Sequence, residues 1–227
     1  MSQEFMLEFP LKSSNIKQLI NMQYTEKSLR LTREISNKIK EQTFHHHYHI
    51  LYDLVSSYKE EILVSYVEIG CYAGGSACLV LQRKNTEVIS IDLGKPISPN
   101  IVKTNVDNLN IHNNTHVYLE GNSQTYEMVD KVKELTDSID VLFIDGDHTY
   151  QGVVNDFMLY KDLVSKGGYI VFDDYNDHHH SPEVKHAVDD IVKSHPNLYN
   201  VIGTVDNILG ARPNTLTEGN CFILQLI

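Results

Sequence analysis

The chain has 227 residues, enough for one domain with a large core and a tight fit for two. Its 19 Lys and Arg stand against 30 Asp and Glu, and the net charge of -11 repels polyanions. Nucleic acid and acidic membranes are therefore disfavoured as partners, and a small soluble substrate is favoured.

Residues 1–17 carry Glu4 and Glu8 and no apolar stretch of signal-peptide length, and no segment approaches the run needed to span a bilayer, so a cytoplasmic protein is expected. The cysteines, Cys71, Cys78 and Cys221, are odd in number and lack a C-x-x-C pair. They read as buried thiols, without a disulfide framework or zinc knuckle.

From residue 25 to about 59 the pattern is helical, with Leu31, Ile35 and Ile39 at four-residue steps, a second apolar set at Ile50, Leu51, Leu54 and Val55, and Thr25 as a candidate cap. His45, His46, His47 and His49 crowd this region. His45 and His49 share a helix face but no carboxylate is placed to complete a metal site, so the run is expected to line substrate or face solvent. One boundary follows: a helical extension at 1–59, acting as a lid or dimerisation element, and a main domain at 60–227.

After it come short runs rich in Val and Ile, at 64–69, 87–91, 116–119, 141–144 and 169–172, each followed by Gly or Asp and then a helical stretch. Such runs suit parallel strands buried on both faces. Ser181 as cap, Pro182 in the first turn and the stripe Val184, Ala187, Val188, Ile191 and Val192 mark one helix clearly. Two further strands, 199–204 and 221–226, are joined by a turn-rich stretch at 207–220. The expected fold is α/β: a doubly wound, Rossmann-like, seven-stranded, mostly parallel sheet with an antiparallel final strand, plus the N-terminal helical extension.

The loop Glu68-Ile-Gly70-Cys-Tyr72-Ala-Gly74-Gly75-Ser76 follows the first strand and enters a helix, whose free N–H groups can meet a ligand that the glycines let approach. Asp92, ending the second strand, can accept hydrogen bonds from both ribose hydroxyls. A dinucleotide site would carry G-x-G-x-x-G, but Tyr72 stands at the second glycine, and Glu68 would repel a pyrophosphate. The same acidic group suits the cationic amino-acid part of S-adenosylmethionine.

With an acidic residue opening a glycine loop, the chain resembles the class I S-adenosylmethionine-dependent methyltransferases from about residue 64 onward. The resemblance implies ribose binding at Asp92 and adenine contacts at Gly121, Asn122 and Ser123. Cofactor contacts are thus expected at Glu68, Gly70, Tyr72, Gly74, Ser76, Asp92, Asn122, Ser123 and Asp145.

Asp145-Gly-Asp147-His148 ends the fourth strand and Asp173-Asp174 the fifth, and in an open parallel sheet both ends face one crevice. Asp145, Asp173 and Asp174 offer hard oxygen ligands that suit Mg²⁺, Mn²⁺ or Ca²⁺ better than zinc. Here the resemblance narrows to metal-dependent O-methyltransferases, of the catechol type and of the type acting on sugar hydroxyls of antibiotics. It implies a metal, Mg²⁺ being favoured, at Asp145, Asp173 and Asp174. The catechol branch typically has Asn where this chain has Asp174 and Lys where it has His148, so the sugar branch is the better match.

An alcohol must lose its proton before it attacks, and His148 is the expected general base. Asp147 points away by alternation and can support His148 or cap the next helix. His178, His179 and His180 are placed to overhang the crevice, and Tyr24, Tyr150 and Tyr175 are ordinary stacking or core candidates. The sequence reading is a metal-dependent O-methyltransferase for a sugar or nucleotide-sugar, with a homodimer as one use of the extension. Its rivals are a catechol-type phenol O-methyltransferase, an NAD-linked oxidoreductase and a cofactor-binding protein without catalysis.

Overall fold

The computed structural model describes residues 22–41, 46–204 and 221–227. His45, the 207–220 stretch and the side chains of Tyr24 and Thr25 lie outside them. Helix α1 (Met22–Ser36) already runs through position 25, so helix formation begins upstream of the expected cap. A 3₁₀ turn at His46–Tyr48 leads into α2 (His49–Ser56).

The main domain then alternates strand and helix: β1 (Val64–Ile69), α3 (Gly75–Val80), β2 (Thr86–Asp92), α4 (Pro99–Leu109), β3 (Thr115–Glu120), α5 (Tyr126–Leu135), β4 (Ile139–Ile144), α6 (Tyr150–Tyr160), β5 (Val164–Phe172), α7 (Val184–Ser194), β6 (Tyr199–Thr204) and β7 (Phe222–Leu226). The sheet order is β3-β2-β1-β4-β5-β7-β6. The first five strands pair in parallel, and β7 runs antiparallel between β5 and β6. The strand order reverses between β1 and β4, and the crevice at such a switch point is where ligands bind in open α/β sheets.

Alternation along the strands divides the core into two layers. Tyr66, Val141, Phe143 and Val171 face one layer, packed by Leu51, Leu54 and Val55 of α2 and by α3 and α4. Val67, Leu142, Ile144 and Phe172 face the other, packed by α5, α6 and the buried stripe of α7. The described part of the 1–59 extension is thus built into the same core as the sheet. Burial on both sides explains why all six positions of β1 are buried, including the polar Ser65 and Glu68.

Two boundaries differ from the sequence reading. β5 starts at Val164, because Ile139 pairs with Val164 before a register shift to Val141 and Tyr169; polar residues and Gly167, at φ +83°, disguise its first half. α7 begins at Val184, and its N-cap position, Glu183, makes no side-chain cap bond. The expected cap, Ser181, directs its hydroxyl into the crevice instead. No helix among the described residues is long and apolar enough to cross a membrane.

Candidate active site

The glycine loop is fastened from below. Glu68 is fully buried and accepts hydrogen bonds from Ser76 Oγ (2.5 Å), Ser90 Oγ (2.6 Å) and Tyr66 Oη (3.1 Å). Burial pushes its carboxyl up to about 7 against the opposing pull of these hydroxyls. Glu68 and Ser76 thus meet each other beneath the loop. Gly70, at φ +83°, has no room for a Cβ, which would collide with the Asp145 carbonyl, so this glycine lets the β1 and β4 loops touch. Gly74 is left-handed at the α3 N-cap, and Tyr72, also at positive φ, is 42% exposed on the loop crest.

Asp92 closes the loop from the side. Its Oδ2 accepts the N–H groups of Cys71 (2.9 Å) and Tyr72 (3.1 Å), and its Oδ1 accepts that of Gly94 (2.8 Å). The residue expected at a ribose therefore fixes the loop beside it. After β3, Asn122 is exposed and accepts the Gln124 N–H, while Ser123 Oγ donates to Asp156 Oδ1 (2.7 Å). Asp156, on α6, is a partner that sequence reasoning missed. Burial pushes it up to about 6, and its second oxygen has no hydrogen-bond partner among the described residues.

Across the crevice, Asp145 and Asp174 come together with His148. His148 Nε2 lies 3.2 Å from Asp145 Oδ1 and its Nδ1 3.5 Å from Asp174 Oδ2, and the three ligand atoms lie within 4.8 Å of one another. Ser181 Oγ donates to Asp174 Oδ2 (2.7 Å) and lies 3.1 Å from His148 Nδ1. Tyr48 Oη donates to Asp145 Oδ2 (3.2 Å). Burial, then the charge of Asp173, raises both carboxyls above their ordinary range. Burial disfavours the His148 cation, but the bond to Asp145 and the surrounding carboxylates prevail and push it up to about 9. Asp174 sits at φ +57°, a left-handed backbone that turns its side chain toward His148.

Asp173 goes elsewhere. It keeps the parity of Val171 and faces the layer under the N-terminal segment, where His47 Nε2 is 2.7 Å from its Oδ1 and Cys221 Sγ donates to the same oxygen at 3.5 Å. The structure therefore divides the expected metal set: Asp145 and Asp174 share a cluster with His148, and Asp173 shares one with His47 and Cys221. Tyr48 and Ser181 carry no site role in the sequence reading, and His47, read there as lining substrate or facing solvent, is buried. His47 and Tyr48 lie in a histidine run with no visible partner, and Ser181 reads as an ordinary cap.

The remaining candidates are peripheral. His49 lies 3.6 Å from Asp53 on its own helix. His178, His179 and His180 are exposed, with the last two bonded to Asp177. Asp147 accepts the Thr149 N–H and steadies the start of α6, where Thr149 is the cap. Tyr150 and Tyr175 bond to Asp190 and Asp189 of α7.

Comparison with known proteins gives this geometry a context. Residues 67–175 match a family described as a methyltransferase domain. An uncharacterized protein of Acanthamoeba polyphaga mimivirus is 42% identical over 198 residues, covering 82% of this chain and 89% of its own. Among solved structures, an O-methyltransferase from Bacillus cereus in complex with SAH matches with a TM-score of 0.60 at 15% identity, over 89% of this chain and 90% of its own. An rRNA methylase from Streptococcus thermophilus matches with a TM-score of 0.56 at 12% identity, over 82% and 99%.

Proposed function

We propose that the chain, whose residues 67–175 match a methyltransferase domain, is a class I S-adenosylmethionine-dependent methyltransferase that methylates a hydroxyl of a small sugar-like acceptor, with His148 as general base beside a divalent ion. The observation that carries the reading is His148 itself. It stands at the mouth of the β4 end, half-buried, within hydrogen-bond reach of Asp145 and beside Asp174.

The donor chemistry fits a hard cation. Asp145 and Asp174 offer carboxylate oxygens from adjacent strand ends, and both are held above their ordinary range by burial and repulsion, a condition that a cation relieves. Mg²⁺ is the favoured ion, and Asp145 and Asp174 would hold it, whereas Asp173, next to Asp174 in the chain, turns to His47 and Cys221. When bound it supplies electrostatic stabilisation of charge developing on the acceptor oxygen, and it offsets the carboxylate charge that keeps His148 protonated.

The protein's own groups supply the rest. Ser181 gives its hydroxyl proton to Asp174, so its lone pair faces His148 Nδ1 and fixes the neutral tautomer with the proton there. Nε2, which faces Asp145 Oδ1 at 3.2 Å, would then take the acceptor proton once that carboxylate turns to the cation. Glu68 and Asp92 hold the loop rigid, so that the donor methyl group and the acceptor meet in one orientation.

A radiolabelled methyl-transfer assay tests the proposal across sugars, nucleotide-sugars, catechols and RNA, with and without chelator. Sugar labelling that stops on chelation and in His148→Gln is expected. Chelator-resistant activity would overturn the metal, and labelling confined to catechols or RNA would overturn the acceptor class.

A further inference from the structure

Three donor atoms of different chemistry converge under the N-terminal segment: the imidazole nitrogen of His47, a carboxylate oxygen of Asp173 and the sulfur of Cys221, all within 4.8 Å of one another. They are 6%, 3% and 0% exposed. We infer that His47, Asp173 and Cys221 form a second cation site, for a thiophilic divalent ion of the zinc class, which ties the N-terminal segment to the sheet.

The donor set selects the ion. Nitrogen, oxygen and sulfur together suit zinc, whereas a hard ion such as Mg²⁺ avoids sulfur. Tetrahedral bonds of about 2.0–2.3 Å would place the donor atoms about 3.3–3.8 Å apart. Sulfur and oxygen already stand at 3.5 Å, and the 2.7 Å between His47 and Asp173 must open by well under a bond length. Without the ion, Asp173 Oδ1 takes both contacts, an arrangement that a cation replaces by exchanging the thiol proton for a sulfur–metal bond and releasing that proton to solvent.

The location gives the site its consequence. His47 belongs to the 3₁₀ turn before α2, Asp173 follows β5 and Cys221 precedes β7, so one ion would join three segments far apart in sequence. It would also hold Asp173 away from Asp145 and Asp174. The site stands whether or not the crevice binds Mg²⁺ or the chain transfers methyl groups.

Cobalt(II) titration of the phosphine-reduced full-length protein reads sulfur ligation directly, as thiolate-to-metal charge-transfer absorption in the near ultraviolet. One equivalent of cobalt should produce the band with release of one proton, zinc should then displace cobalt and remove the band without further proton release, and Asp145→Asn should retain it. Cys221→Ser should abolish it, and His47→Gln should weaken cobalt binding by about tenfold or more. The double variant Cys71→Ser/Cys78→Ser, which leaves Cys221 as the only thiol, should keep the full band even if Cys221→Ser fails to fold. Absence of the band in the wild type, its survival in Cys221→Ser or its loss from the double variant would overturn the site.

Discussion

At the scale of single residues, the site depends on groups that hold other groups. Ser181 touches both His148 and Asp174, and its removal leaves the imidazole held through Asp145 alone and takes the hydroxyl donor from Asp174. Ser181→Ala is expected to lower kcat by roughly tenfold to a hundredfold, in the manner of a lost outer-shell partner, while cofactor affinity measured by calorimetry stays unchanged. Ser181→Thr, which keeps the hydroxyl, should recover part of the rate. Glu68 allows a different test, because its folded value of about 7 lies above its ordinary 4.5. A raised carboxyl contributes stability that is fully present below the unfolded value and is lost as pH rises through the folded one. The window runs from 4.5 to about 7 and is worth at most about 3 kcal/mol at about 1.36 kcal/mol per unit. Half-buried His116, 3.0 Å from Ser90 Oγ, has the opposite sign: lowered by desolvation from 6.5 to about 4, it contributes above 6.5 and is lost on acidification toward 4. Glu68→Gln, which resembles the protonated form, should flatten the fall in urea stability between pH 5 and pH 8, in which the His116 contribution opposes that of Glu68. An unchanged slope would remove Glu68 as its source.

At the scale of elements, the N-terminal helices are the informative case. Their apolar spacing was legible, and it suggested an extension separable near residue 59. What it could not show is that Leu51, Leu54 and Val55 pack against Tyr66 and Phe143 in one continuous layer, because periodicity gives the face of a helix and not its partner. Leu51→Ala should therefore cost about 2–5 kcal/mol in urea unfolding with a single transition, as for any core leucine. A variant beginning at residue 60 should lose its cooperative transition. If α2 were a dispensable lid, both changes would leave the stability of the main domain intact. The same limit hid the division of the carboxylates. Asp173 and Asp174 are neighbours in the chain, but strand alternation sends one toward His47 and Cys221, and a left-handed turn brings the other to His148.

At the scale of the whole molecule, the sequence carried the sheet further than the site. Seven strands were legible because two-sided burial enriches β1, β2 and β4 in Val, Ile and other apolar residues, and the topology puts their ends at one crevice. The first half of β5 was not, because Ser165 to Gly168 carry no apolar signature and fall in the register shift between Val164 and Tyr169. Glu68, Asp92, Asp145, His148 and Asp174 stood out as acidic or basic groups at strand ends, whereas His47, Tyr48 and Asp156 act through contacts between distant segments that no local pattern records. The net charge of -11 is the property that belongs to no single element, and it sets how an acceptor arrives. A neutral sugar feels no net field, so its kcat/KM should be flat from low to physiological ionic strength. A nucleotide-sugar is repelled over a Debye length of roughly 10 Å at 0.1 M salt, so its kcat/KM should rise as added salt screens the protein. Measuring both acceptors against sodium chloride distinguishes them within the sugar class. A kcat/KM that falls with salt for an anionic acceptor would mean that a local basic surface outweighs the overall charge, and the argument from net charge against polyanionic substrates would fall with it.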